Sequence, residues 1–232
     1  MTNKKNIVVL GSSRGIGKAL VELLAQNENH HVIALSRNTE ELASFCKLPQ
    51  NITYGFVDVA SEQVHQQLNK VLSEFNTIDV LINNAGKLVN KPFEELSRKE
   101  IDSCYQTNAV GVMFATQYFI PKMRDHGGHI VNISTVGAFQ GSVKFPGLSA
   151  YSTSKAGITS FTELFAEEYK ETPIRMNCLC LGAVQTEMLS EAFPGLQVPT
   201  SPEEMAAYIA DFSLSGHQYF NGKILPVSAS TP

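Results

Sequence analysis

Short apolar runs alternate along this chain with longer segments whose apolar residues recur at helical spacing. The runs Asn6–Leu10, His31–Ser36, Asn51–Val57, Val80–Asn83, His129–Ser134, Ile174–Leu181 and Lys223–Val227 are dense in Val, Ile and Leu. Most show little polar alternation, which is the pattern of strands covered on both faces. Between them, Gly15–Gln26, Glu40–Phe45, Ser61–Phe75, Ser97–Met123, Tyr151–Lys170 and Ser201–Phe212 carry apolar residues at helical intervals. Alternating strands and helices predict a seven-stranded parallel sheet, doubly wound with helices on both faces, in a single α/β domain over residues 1–232. Two stretches are irregular, Val136–Ala150 and Gly182–Thr200. Both follow the carboxyl ends of strands, where the ligand crevice of an open α/β sheet lies. They are the expected walls of a substrate pocket, with a substrate loop over about 182–200.

Composition narrows the function classes. The 232 residues are 43% hydrophobic and 17% charged, a globular balance, with a net charge of -4 that argues against an electrostatic nucleic-acid binder. The start of the chain is polar, Ile7–Leu10 is too short for a signal peptide, and no apolar run reaches membrane-spanning length. A cytoplasmic protein with no membrane partner is the expectation. Cys46, Cys104, Cys178 and Cys180 are scattered except for the last two, and no further metal-binding residue stands close to that pair. They read as small buried apolar residues, and no metal site is expected.

Candidate chemistry begins at Gly11-Ser12-Ser13-Arg14-Gly15-Ile16-Gly17, which follows the first strand and opens the first helix. Glycines let the backbone approach a pyrophosphate, and a helix N-terminus offers free N–H groups and positive partial charge. An ordinary tight turn is the alternative. The second strand ends at Leu35-Ser36-Arg37, without the acid that would bind the ribose hydroxyl of NAD. Arg37 can grip a phosphate bidentately, with Arg14 in the loop on the same side, so NADP is expected over NAD. Further on, Tyr151 and Lys155 stand four residues apart on a predicted helix and share a face. A neighbouring ammonium lowers a phenol's pKa, and such a pair can exchange a proton with a substrate oxygen.

Together these segments resemble the short-chain dehydrogenase/reductase (SDR) family, from about Asn6 to Val227. Gly11–Gly17 matches the family's cofactor loop, Asp58-Val59 its adenine-contacting pair, and Asn83-Asn84-Ala85-Gly86 the motif that packs beside the cofactor. Asn108 in Thr107-Asn108-Ala109 matches the helix asparagine of its catalytic tetrad, and Tyr151 with Lys155 its Tyr-x-x-x-Lys. The resemblance implies a Rossmann-type fold and an oxidoreductase that interconverts a small-molecule carbonyl and alcohol with NADP(H). It implies Tyr151 as the proton donor or acceptor and Lys155 as the group that lowers its pKa and binds the nicotinamide ribose. Asn108 would hold a water that joins Lys155 to solvent. It also implies transfer of the pro-S hydride and a homotetramer or homodimer built through 97–123 and 151–170.

The chain departs from the family at several points. Leu10 stands where a Thr or Ser is usual before the glycine loop, and Leu181 replaces a proline before Gly182. Gly182, Val184 and Thr186 still fit the next cofactor segment, with Thr186 on the nicotinamide carboxamide. The family's Ile-Ser-Ser reads Ile133-Ser134-Thr135, so Thr135 is the expected catalytic hydroxyl and Ser134 the fallback. The stretch from Thr135 to Tyr151 is a few residues longer than usual, and the C-terminal half is short, without the usual Asp-Gly-Gly ending. Substrates stay open among 3-oxoacyl thioesters, small ketones, quinones, and sugar or steroid carbonyls. Phe139, Phe145, Leu148, Met188, Leu189 and Phe193 are either pocket lining or loop anchors. The competing reading is a weakly catalytic NADP-binding sensor or scaffold of the same fold.

Overall fold

A computed structural model describes residues 4–47 and 50–229. Seven strands run β1 (Lys5–Leu10), β2 (His30–Ser36), β3 (Ile52–Phe56), β4 (Val80–Asn83), β5 (Gly128–Thr135), β6 (Ile174–Leu181) and β7 (Ile224–Val227). All pair in parallel, in the order β3-β2-β1-β4-β5-β6-β7. The helices are α1 (Gly15–Leu24), α2 (Thr39–Cys46), α3 (Val64–Leu72), α4 (Arg98–Tyr105), α5 (Gly111–Phe119), α6 (Ser149–Glu168), α7 (Glu187–Ala192) and α8 (Pro202–Ser215). This is the predicted Rossmann-type single domain.

Successive residues of a strand point to opposite faces, and here both faces are covered. Ile7, Val9, Val32, Ala34, Val131 and Leu179 pack under α1, α2 and α8, against Leu20, Leu42, Ala206 and Ile209. Val8, Leu10, Ile33, Leu35, Ile130 and Met176 pack under α3, α5 and α6, against Leu68, Leu72, Phe119 and Phe165. Burial on both sides is why the strands read as continuous apolar runs.

After β1 the chain moves outward to β2 and β3, then returns to lay β4 on the other flank of β1. The strand order therefore reverses between β1 and β4, the position at which open α/β sheets bind ligands. Two loops leave that point side by side. A Cβ on Gly11 would lie 2.5 Å from the Cα of Ala85, so only glycine allows this approach. Asn84 Nδ2 seals it with a 2.7 Å bond to the Gly11 carbonyl.

Two predicted elements change. The helix expected over Ser97–Met123 is interrupted by a π-helical turn, Gln106–Val110, and ends in a 3-10 turn, Ile120–Lys122, that contains Pro121. A Cβ on Gly111 would lie 2.3 Å from the carbonyl oxygen of Val59, so the glycine lets this helix pack onto the loop after β3. The expected irregular stretch 182–200 contains α7, six residues long and capped by Thr186 Oγ1, which accepts from Leu189 N at 3.2 Å. Among the described residues, no helix is long and apolar enough to cross a membrane.

Candidate active site

The carboxyl ends of the strands open into one cleft of about 360 Å³. On the β1–β3 side it is lined by Gly11, Ser13, Arg14, Gly15, Ile16, Arg37, Asp58 and Val59. Asn84, Ala85, Gly86, Ser134, Thr135, Tyr151 and Lys155 form its centre, and Gly182, Val184 and Thr186 its far wall. These predicted residues come from seven segments of the chain and share one surface. Two others do not line it. Gly17 is buried beneath the loop, where a Cβ would lie 2.0 Å from the Gly11 carbonyl oxygen, so its place is loop packing. Asn108 is fully buried behind the cleft.

The phosphate-type loop has an open helix start. Helices α2, α4 and α8 are capped by Asn38, Ser97 and Ser201, whose side chains accept first-turn N–H groups. Helix α1 has no side-chain cap and no acid in its first turn. Its first-turn backbone and positive partial charge face the cleft at Gly15 and Ile16, which suits an anion. Ser36 Oγ donates to Ser13 Oγ at 2.9 Å and ties the end of β2 to this loop, beside Arg37.

At the centre the π-helical turn sets Asn108 against the loop after β4. Asn108 Oδ1 accepts from Lys87 N, and Nδ2 donates to Lys87 O, both at 2.8 Å. The same Nδ2 reaches Ser154 Oγ at 2.9 Å. Lys155 Nζ donates to the Ile133 carbonyl at 2.8 Å. Gly86 lies between Lys155 and Asn108, where a Cβ would make ordinary contacts with Lys155 Nζ at 3.5 Å and Asn108 Oδ1 at 3.6 Å.

The electrostatics differ from the sequence expectation. Burial pushes the Tyr151 phenol up to about 12, and Cys104 and Cys180 push the same way. Burial also pulls the Lys155 ammonium down to about 8, against a weaker opposing effect of Cys178 and Cys180. The expected lowering of Tyr151 by Lys155 is absent here, because Lys155 points its ammonium at the β5 backbone and desolvation dominates both groups. None of the hydrogen bonds among the described residues uses the Tyr151 hydroxyl, and the ring is half-buried on the cleft wall.

Strand alternation separates the two candidate hydroxyls. Ser134 is buried, on the same face of β5 as Ile130 and Asn132, and donates to the Lys155 carbonyl at 3.2 Å. Thr135 is half-buried on the cleft wall, and its Oγ1 accepts from Gly137 N at 3.3 Å. Accepting that bond leaves the Thr135 proton free to donate. Of the predicted apolar lining, Phe145, Leu148, Met188, Leu189 and Phe193 do line the cleft, and Leu196 joins them. Phe139 does not. It packs against Cys178, Cys180 and Ile158 under α6, because its position after the Val136–Ala138 turn faces the core.

Sequence reasoning missed the roof over the loop. Arg14 pairs with Glu191 of α7, Nη1 to Oε1 at 2.5 Å and Nη2 to Oε2 at 3.3 Å. Nothing local in sequence signals a contact across 177 residues.

Comparison with known proteins agrees with this geometry. A family model described as short chain dehydrogenase matches residues 5–197. A 3-oxoacyl-acyl-carrier-protein reductase FabG of Chlamydia trachomatis is 30% identical over 239 residues, covering 96% of this chain and 95% of the relative. Carbonyl reductase family member 4 of Danio rerio is 34% identical over 95% of this chain and 94% of its own length. A crystal structure of an actinorhodin polyketide ketoreductase variant with NADPH superposes with a TM-score of 0.83 at 25% identity, covering 98% and 97% of the two chains. The chain belongs to the short chain dehydrogenase family of oxidoreductases.

Proposed function

We propose that this protein is an NADPH-dependent reductase of carbonyl compounds, with Tyr151 as the proton donor. The observation that carries the reading is the Tyr151 phenol itself. Its hydroxyl makes no hydrogen bond among the described residues, on the wall of the same cleft as Lys155, Thr135 and a helix start without a side-chain cap. A phenol pushed up to about 12 keeps its proton at neutral pH and is poised to donate it to a reduced carbonyl oxygen. Bound NADPH would supply the hydride, and the protein supplies orientation and charge. The open N-terminus of α1 and the glycine cradle would hold the pyrophosphate. Arg37 and Arg14 would take the 2′-phosphate, Asp58 and Val59 the adenine, and Thr186 the carboxamide. That the structural neighbour was solved with NADPH supports the same choice.

The chain's own groups then divide the work. Thr135 donates to the substrate oxygen beside Tyr151, since Ser134 is committed to the Lys155 carbonyl. Lys155 keeps a positive charge under the cleft up to about pH 8 and holds the ribose. The Asn108 side chain pins Lys87 and Ser154 and leaves one lone pair of Oδ1 for the water that would join Lys155 to solvent.

Purified protein given NADPH and a panel of ketones, 3-oxoacyl thioesters and quinones should oxidise the cofactor. Tyr151→Phe should lower turnover on the order of a thousandfold while leaving NADPH affinity within about twofold. Binding of NADPH without reduction of any carbonyl would favour the sensor or scaffold reading instead.

A further inference from the structure

Arg14 belongs to the phosphate-type loop, yet both terminal nitrogens of its guanidinium are held by one carboxylate of the substrate loop, that of Glu191. The contact fastens α7 over the start of α1. Gly15 adds to it, since a Cβ there would meet Thr186 Cγ2 at 3.2 Å. On its other side α7 is tied down by Asn90, whose Nδ2 donates to the Ala192 carbonyl at 2.8 Å. Of these anchors, only Arg14 is a cation that a nucleotide phosphate could also claim.

We propose that Glu191 helps decide which nucleotide this protein prefers. It competes with the nucleotide 2′-phosphate for Arg14, so a 2′-phosphorylated nucleotide frees α7 whereas NAD leaves it latched. The inference rests on the cofactor reading above, in which Arg14 lies at the adenosine phosphate. A guanidinium fork presents its paired donors to one planar or tetrahedral anion at a time. Glu191 and a phosphate dianion brought to the same fork repel each other. The ion pair is open to solvent, with 49% of the Arg14 side chain and 63% of the Glu191 side chain exposed. Exposed pairs are weak, and a dianion outcompetes a monoanion for the same donors. Glu187, one turn earlier on α7, adds a second negative charge near Arg14 and sharpens the same discrimination.

Choice of nucleotide thereby becomes coupled to the substrate side of the cleft. Met188, Leu189 and Phe193 ride on or just after α7 and line the pocket. Releasing Glu191 lets that apolar wall move, while NAD, lacking the 2′-phosphate, leaves the wall where Arg14 holds it.

Calorimetric titration of NADP+ and NAD+ into wild type, Glu191→Gln, Arg14→Ala and the double variant tests this. Glu191→Gln should tighten NADP+ binding about threefold, leave NAD+ binding unchanged, and have no effect once Arg14 is removed. Hydrogen exchange in 187–193 should quicken in wild type with NADP+ and not with NAD+. Weaker or unchanged NADP+ binding in Glu191→Gln, or an equal change for both nucleotides, overturns the role of Glu191. A wild type that prefers NAD+ overturns the cofactor reading itself, which is a different result from an NADP+-preferring protein indifferent to Glu191→Gln.

Discussion

The two ends of β5 each bury a nitrogen base, and they are built in opposite ways. At the amino end His129 is buried, with Nδ1 3.0 Å from the Ser213 carbonyl and Nε2 3.0 Å from Asn177 Nδ2. Asn177 continues to the Phe220 carbonyl and to Lys223 N, knitting β5, β6, α8 and the approach to β7. Burial holds the imidazole down at about 4, so it stays neutral and both ring nitrogens are used. At the carboxyl end Lys155 is equally buried and is pulled down to about 8. It spends one donor on Ile133 O and lies beside a phenol that makes no hydrogen bond among the described residues. Desolvation acts on both bases alike. What separates them is spare bonding capacity: both nitrogens of His129 are bonded and hold elements together, whereas Lys155 keeps donors for something else. A buried base whose partners are complete reads as structure, and one with donors to spare, on a cleft, reads as chemistry.

That contrast can be broken by exchanging the expected outcomes. Lys155→Met should lower reductase turnover on the order of a thousandfold. It should also change stability in a pH-dependent way. The folded value of Lys155 lies below the ordinary 10.5, so between about 8 and 10.5 the unfolded chain binds more protons and wild-type stability rises with pH. Holding the charge at neutral pH costs about 3 kcal/mol. Denaturation should therefore find Lys155→Met more stable than wild type at pH 7, and the gap should shrink toward pH 10. A gap that does not move with pH would sink the assignment. Thr135→Val should cost on the order of a hundredfold in turnover by removing the pocket-side donor, seen in steady-state kinetics.

The amino end should respond the other way. His129→Ala should cost about 2 kcal/mol of stability by leaving Asn177 and the Ser213 carbonyl short of partners, with turnover unchanged. The histidine's folded value is depressed, so its share of stability is present above about 6.5 and drains away toward pH 4. The variant should lose that slope in acid melts. Ser134→Ala, the mildest change, should cost about 1 kcal/mol and leave turnover within a few-fold. If Ser134→Ala instead matches Thr135→Val in kinetics, the division of the two hydroxyls is wrong.

Much of this was legible in the residues. The seven runs match the seven strands to within two residues at either end, most clearly in β1, β2, β4, β5 and β6, because strands covered on both faces need unbroken apolar sequence. Gly11 and Gly17 were legible as close-packed turn positions, since the backbone there approaches too closely for a Cβ. Less legible was the π-helical turn at Gln106–Val110, which depends on how Gly111 packs on Val59 and on what Asn108 finds to bond. Helix α7 was hidden in a segment whose six helical residues make fewer than two turns, too few to show a repeating pattern. The polar network around His129 was invisible, because its members lie in four segments and each looks ordinary alone.

The order of strands and helices, the sheet type and the identity of the cleft loops follow from sequence, because periodicity and glycine placement are local properties of the chain. Which partners Ser134 and Thr135 bond, whether Tyr151 is raised or lowered, and which acid meets Arg14 depend on what lies across the fold. Alternation says only that neighbouring hydroxyls point apart, and pKa values follow from burial that no single segment creates. Those decisions belong to the tertiary structure, which brings β5, α6 and α7 to the walls of one cleft.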